Sequence, residues 1–542
     1  MKPLPAHVIG FSILFVLLVR FVAPATTAAA TAPLPDGTSD LFAGSGVCAM
    51  CHRSNGVALS EKGADVSPVT LWRAGMMAHA ARDPLWRAVV ASETAEFPGQ
   101  QALIEDTCTR CHAPLGHAEA HHDGTAAYAI AAMAEDPLAL DGVSCTLCHQ
   151  IQPGNLGQTD SFSGGYRIGT GRHIYGPYPD PFPMPMRNHT GYTPVHGAHV
   201  QQSELCGTCH TLYTPVLNDA GEATGRFAEQ TTYLEWKHSQ YARQRVTCQG
   251  CHMPYTSTGV DIATLPPWHD RHRVPFWYHY LTGGNEYMLR LLQANRHRLG
   301  LTAGDDEFAF SAAKTGDMLR RETARLTVAA AWQDDGLQVD VRVTNLTGHK
   351  LPTGIPLRRM WLHLTVTDAR DAVVFESGAW TADGEILGED RPFEPHHQRL
   401  TRADQVQIYE TVLGDSRGRV TETLLRTAGF LKDNRLLPRG LTLTAAEEGD
   451  LRPRGVGDDP DFTAGPEHPG CDTVTYALAL PAGTYRVRAE LCYQLFRPAL
   501  TAHLAHFDTP ETRRWQELSA ARPPVPVILQ SVSCDVGAAS GL

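Results

Sequence analysis

The chain has 542 residues, a formal net charge of −12 and 13 cysteines. That length is too great for a single hydrophobic core and predicts two or more domains. The acidic balance argues against nucleic acid and anionic lipid surfaces as partners and suits docking to basic protein surfaces.

The first thirty residues read as a secretory signal peptide: Lys2 is the positive start, Val8 to Val19 the apolar core, and Ala28-Ala-Ala30 the small-residue cleavage site. The apolar run is too short to span a bilayer, and no later segment is apolar enough to do so. The expected location is periplasmic or otherwise exported, with no membrane span in the mature chain.

Between 31 and 265 the chain spells CxxCH five times: Cys48/Cys51/His52, Cys108/Cys111/His112, Cys145/Cys148/His149, Cys206/Cys209/His210 and Cys248/Cys251/His252. This is the attachment signature of c-type haem. Two thiols at that spacing form thioethers to one porphyrin edge, and the adjacent imidazole ligates the iron. Zinc is the competing reading of paired CxxC knuckles. A zinc ribbon, however, has no use for a His after every second Cys, and five knuckles do not pair off evenly. The sequence therefore predicts five covalent haems, held in a segment rich in Gly, Pro and His that cannot bury enough apolar side chain without them. Similar flanks suggest that the second and third motifs, and the fourth and fifth, form two duplicated pairs, with the first standing apart.

Apolar residues at helical spacing predict a helix over Leu71 to Ser92, another over Glu286 to Leu299 and a third over Asp305 to Leu326. Residues 266–325 are expected to form a helical connector packing on the haem domain. From 326 to 536 the pattern changes to alternating or short apolar runs separated by turn signals. Strands are predicted at Leu326–Trp332, Leu337–Thr344, Trp361–Thr367, Val373–Glu376, Val420–Leu425, Val474–Leu480 and Tyr485–Phe496, with a short helix near Arg513 to Arg522. The expected fold class is α+β multidomain, a mostly helical or irregular multihaem domain followed by an antiparallel β-sandwich. Cys471 and Cys492 would face each other across a hairpin turned at Pro481-Ala-Gly-Thr484, within reach of a disulfide, leaving Cys534 unpaired.

Several stretches resemble those of exported bacterial multihaem (pentahaem) cytochromes c, with a cytochrome c-554-like haem domain and a β-rich C-terminal domain. They are Met76-Met-Ala-His79-Ala-Ala-Arg-Asp83-Pro, Asp141-Gly-Val-Ser-Cys145, Glu229-Gln-Thr-Thr-Tyr-Leu-Glu-Trp236, Cys248-Gln-Gly-Cys-His-Met-Pro254, Gly348-His-Lys-Leu-Pro-Thr-Gly354 and Lys432-Asp-Asn-Arg-Leu-Leu-Pro438. The resemblance implies electron transfer between redox partners and specifies no reaction.

A low-potential carrier needs a second imidazole on each iron. The favoured distal ligands are His79, in the Met-Met-Ala-His stretch; His199, shortly before Cys206; His279, whose surroundings resemble the family's His-x-x-x-Gly-Gly-Asn; and His349, which would clamp the strand domain onto the haem domain. The fifth stays open among His121, His122, His173, His189 and His196, with His122 carried as the candidate. Met76, Met77 and Met253 are alternatives. If one iron lacks a distal ligand, the chain could instead be an oxidoreductase acting on a small nitrogen or sulfur compound. A further alternative is a cytochrome subunit docked through its strand domain to a larger redox complex. No CxxCK and no crosslinking tyrosine beside a motif are present, which favours the carrier. Glu394-Pro-His396-His397 reads as a metal site or a solvated turn, and Arg358 and Arg359 as partners of haem propionates or a charged strand edge. The aromatic cluster Trp268, Phe276, Trp277, Tyr278 and Tyr280 would cover a porphyrin face or pack the domain junction.

Overall fold

The computed structural model describes residues 31–537, so the expected signal peptide lies outside the described residues. From Thr31 the chain forms one compact unit. Its N-terminal half is built from helices and 3-10 turns, most of them short, with two-stranded ribbons between them.

The helix expected over Leu71 to Ser92 is broken into helix Pro68–Arg73, 3-10 turn Met77–Arg82 and helix Pro84–Glu96. Pro84 causes the second break: its ring forces the preceding residue out of the helical region, and Asp83 is extended there. The Asp83 carboxylate then accepts the N–H of Leu85 at 2.8 Å and of Trp86 at 3.3 Å, capping the new helix. Helices Glu286–Asn295 and Asp305–Arg321 follow the expected pattern with shorter ends. In the second, three acidic residues open the first turn and Arg320 and Arg321 close the last, complementing the helix dipole.

The C-terminal half holds two sheets. One has four strands, with Gly336–Asn345 between Ala324–Gln333 and Cys471–Leu478, and the two-residue strand Arg399–Leu400 added in parallel at its edge. The other has six, centred on Arg359–Asp368 and Tyr485–Gln494, and all its pairings are antiparallel. Alternation places Leu337, Val339, Val341 and Val343 of the first sheet, and Leu362, Leu364 and Val366 of the second, in one buried cluster.

Three expectations need correction. Val420–Leu425 is no strand: it is a loop leading into the 3-10 turn Leu424–Arg426, and the N–H groups of Leu424 and Leu425 bond the Glu93 carboxylate instead of a neighbouring strand. Strands Ile408–Asp415, Thr427–Asp433 and Val527–Val536 add to those expected. The first is buried almost throughout and therefore shows no alternation. Finally, the strands carrying Cys471 and Cys492 are not paired; they belong to different sheets. Both thiols are free, Cys471 receiving a hydrogen bond from Arg342 at 2.6 Å and Cys492 packing with Trp361 and Val406.

Candidate functional site

All ten motif cysteines and all five motif histidines line one continuous cavity of about 1020 Å³. It reaches the upper end of small-molecule sites, and the rest of its lining is largely apolar. None of the ten cysteines is in a disulfide. Apolar walls, paired thiols and one imidazole per pair are the donor set that c-type haem requires, so these residues fit that group.

Local structure explains how the motifs converge. Asp141, ahead of the third motif, accepts the backbone N–H of Ser45 at 2.9 Å and its hydroxyl at 2.8 Å, tying the first motif's helix to the third. Gly142 turns there with φ +66°, and a Cβ would stand 2.6 Å from the Met77 carbonyl oxygen, a position only glycine fills. The fifth motif is bound to the fourth: the Cys248 N–H donates to Ser203 Oγ at 2.9 Å and Gln249 to the Gln202 carbonyl at 2.8 Å. The sulfurs follow suit, with Cys48 near Cys145, Cys111 near Cys209 and Cys206 near Cys248. The first motif thus adjoins the third and does not stand apart, and the fourth touches both the second and the fifth.

Four of the five motif imidazoles are held through Nδ1. Nδ1 of His52, His112, His149 and His252 meets the carbonyls of Ile262 (2.9 Å), Ala80 (3.4 Å), Tyr175 (2.6 Å) and Thr282 (2.5 Å), leaving Nε2 toward the cavity. Trp86 stacks on His112 with centroids 4.5 Å apart and planes 4° from parallel. Burial pushes the pKa of His112 and His210 down to about 4, so both are neutral, the form that binds metal.

Of the expected distal ligands, His279 and His349 line the cavity. His279 Nδ1 bonds the Trp277 carbonyl at 3.1 Å and His349 Nδ1 that of Lys350 at 2.9 Å, again leaving Nε2 free. Burial lowers both to about 4. His279 faces His149, and His349 faces His252, each with ring centroids 6.3 Å apart and planes within 26° and 17°. Among the described residues no other histidine stands in this relation to His52, His112 or His210.

The others lie elsewhere. His79 is buried against Phe308 at 5.2 Å, outside the cavity lining, with its Nε2 unpartnered. His199 spends Nε2 on the Ile151 carbonyl at 2.9 Å. His122, His173 and His196 are exposed and off the cavity, and His121 bonds Asp106. His189 does line it, as do Met76, Met77 and Met253. His269, in no distinctive sequence stretch, lines it too and stacks on Phe182 at 4.2 Å.

The Gly-His-Lys-Leu-Pro-Thr-Gly loop is fixed by a buried ion network. Glu235 accepts the Lys350 N–H at 3.0 Å, the Thr353 hydroxyl at 2.7 Å and the Arg435 guanidinium at 3.0 Å. Asp433 pairs with Lys350 at 2.6 Å and Arg435 at 2.8 Å. Burial alone would raise the Asp433 carboxyl, yet Arg435 and Lys350 outweigh it and hold it well below the carboxylate range. Gly348 packs closely there: a Cβ would meet Trp236 at 3.1 Å, so the indole would have to give way. Three of the resembling stretches therefore meet at one point and orient His349.

Arg358 and Arg359 part company. Arg358 lines the cavity, bonded to Thr353 O at 2.8 Å and Asn285 at 3.0 Å, with its buried Nε unpartnered. Arg359 points into the strand region, to Gln494 and Glu389. Glu394, His396 and His397 form neither a metal cluster nor a solvated turn; they are hydrogen-bonded to Asp459, to Val406 and to each other. Of the aromatic cluster, Phe276 and Trp277 line the cavity while Trp268 is 75% exposed.

Two acidic residues on the cavity wall were not anticipated. Burial raises the Glu93 carboxyl to about 8 and that of Glu229 to about 7, and both lie near Cys108.

The chain's structure is similar to the crystal structure of a penta-heme cytochrome c552 from Thermochromatium tepidum, with a TM-score of 0.50, 18% identity, and coverage of 91% of this chain and 98% of that one. The fold is that of a multihaem cytochrome c. No family model and no curated protein matches the chain. The similarity runs through both the motif-bearing half and the strand-bearing half of this multihaem cytochrome c fold, so the two halves recur together.

Proposed function

We propose that this chain is an exported c-type cytochrome with five covalent haems that passes electrons between redox partner proteins. One observation carries the reading: five CxxCH motifs, distant in sequence, open onto a single apolar cavity. Bound haem supplies one-electron chemistry at each motif. The chain's own part is to pack the five sites edge to edge, exclude water with apolar walls and hold neutral imidazoles toward each site.

Two imidazoles that would hold one iron between them from opposite sides, each through Nε2 at about 2.0 Å, would place their centroids roughly 6.3 Å apart. That separation supports His149 with His279, and His252 with His349, as the pairs of imidazoles that would hold an iron between them. His189 and His269 are the remaining cavity histidines outside the motifs. His79, His199 and His122 are not among the residues that line the cavity. Among the described residues no helix is long and apolar enough to cross a membrane.

The second reading, an oxidoreductase with one open iron, draws on the second and fourth motifs. Among the described residues no imidazole faces His112 or His210, while the buried Glu93 and Glu229 and the half-buried Arg358 line the cavity and could deliver protons to, and bind, a small oxyanion. Low-temperature EPR of the oxidised protein separates the two. The carrier predicts low-spin ferric signals throughout; a high-spin signal accounting for one haem overturns it in favour of the enzyme. His349→Ala should turn one low-spin signal high-spin, and an unchanged spectrum rejects His349 as a ligand.

A further inference from the structure

Outside the cavity, helix Gln101–His112 packs near helix Pro114–His122. His117 and His121, one turn apart on the second helix, both aim Nε2 at Asp106 Oδ1 on the first, at 3.1 Å and 2.7 Å. The three donor atoms lie within 4.8 Å of one another. Oδ1 already accepts the Tyr128 N–H at 3.0 Å, and the His121 bond fills its second lone pair. His117 Nε2 is therefore surplus: the residue is 7% exposed, and that nitrogen has no hydrogen-bond partner. Two imidazoles converging on one saturated carboxylate oxygen, with one left buried and unsatisfied, is poor hydrogen bonding and good metal-ligand geometry.

We propose that Asp106, His117 and His121 form a mononuclear site for a divalent transition-metal ion of the zinc type, separate from the haem irons. In a tetrahedral site with ligands about 2.0–2.1 Å from the metal, donors stand roughly 3.3 Å apart. The observed 3.1 Å and 2.7 Å to the carboxylate need only open slightly, the two imidazole nitrogens lie within 4.8 Å of each other, and His121, whose side chain is 35% exposed, has room to move. That open side leaves a fourth position for water. Arg110 holds Asp106 Oδ2 at 3.2 Å and fixes the carboxylate's orientation from behind. The bound ion would pin the helix carrying the second CxxCH motif to the helix that comes after it.

The test uses the haem-loaded protein, treated with chelator and titrated with Zn²⁺ by calorimetry, with retained zinc measured against haem iron by elemental analysis. The expected result is one zinc per chain, an affinity at least tenfold weaker in His121→Ala and Asp106→Asn, and no change in His122→Ala, which alters the neighbouring exposed Asp40–His122–Asp123 cluster. The haem absorption spectrum checks folding, and should Asp106→Asn fail to fold, His121→Ala decides alone. No zinc retained by the unaltered chain, equal affinity in His121→Ala, or a loss that accompanies His122→Ala would each overturn the proposal.

Discussion

The two halves of this molecule solve the problem of burial in opposite ways. The strand-bearing half owns one extended apolar cluster that draws on both sheets. The motif-bearing half has several small ones, such as that of Leu41, Phe42, Leu115, Leu147 and Ile151, arranged around a cavity. A chain segment of this kind cannot offset its conformational entropy from side chains alone. In one half the sequence is its own core, and in the other the core is left for the cofactor.

The largest effect expected from that contrast is on the chain made without haem attachment, with all ten motif cysteines replaced by serine. Limited proteolysis should then cut readily between residues 45 and 265 while the strands from Ala324 to Val536 resist, and far-UV circular dichroism should lose helical signal. Equal resistance of both halves would break the comparison.

A smaller but still large effect is expected where the halves are joined. Lys350→Met leaves Asp433 and Glu235 buried with one cation fewer, which typically costs about 3–5 kcal/mol, measurable by denaturant unfolding. The exposed pair Arg167–Asp160 is the control, since Arg167→Ala should change stability by less than about 1 kcal/mol. Similar losses in both variants would mean that the buried network does not hold the junction.

The smallest effect concerns pH. Glu93 titrates near 4.5 when unfolded and is raised by burial to about 8 in the folded chain, so the folded state binds the extra proton between these values. Its contribution to stability is full below about 4.5 and is lost as pH rises through about 8. Glu93→Gln should flatten the fall in melting temperature from about pH 5 to pH 8. An unaltered slope would show that the cavity wall is wetter than its burial suggests.

Legibility in the sequence tracks the range of the interactions. The motif residues are adjacent in the chain, and their covalent chemistry is local, so all ten thiols and five imidazoles are legible as one repeated pattern. Strands with one buried face, such as Gly336–Asn345, are legible through alternation, whereas Ile408–Asp415, buried on both faces, is not. Distal histidines divide in the same way. His279 and His349 sit in long distinctive stretches and do reach the cavity, but nothing near His79 in sequence discloses Phe308 as its neighbour.

By itself, the sequence determined the number and chemistry of the attachment motifs and the change from helical to strand periodicity, because thioether spacing and side-chain periodicity are properties of neighbouring residues. Only the tertiary structure decided which motifs touch, which imidazoles stand 6.3 Å across from one another, and that Glu93, Glu229 and Arg358 share the cavity. Those relations join residues far apart in the chain, and packing alone brings them together.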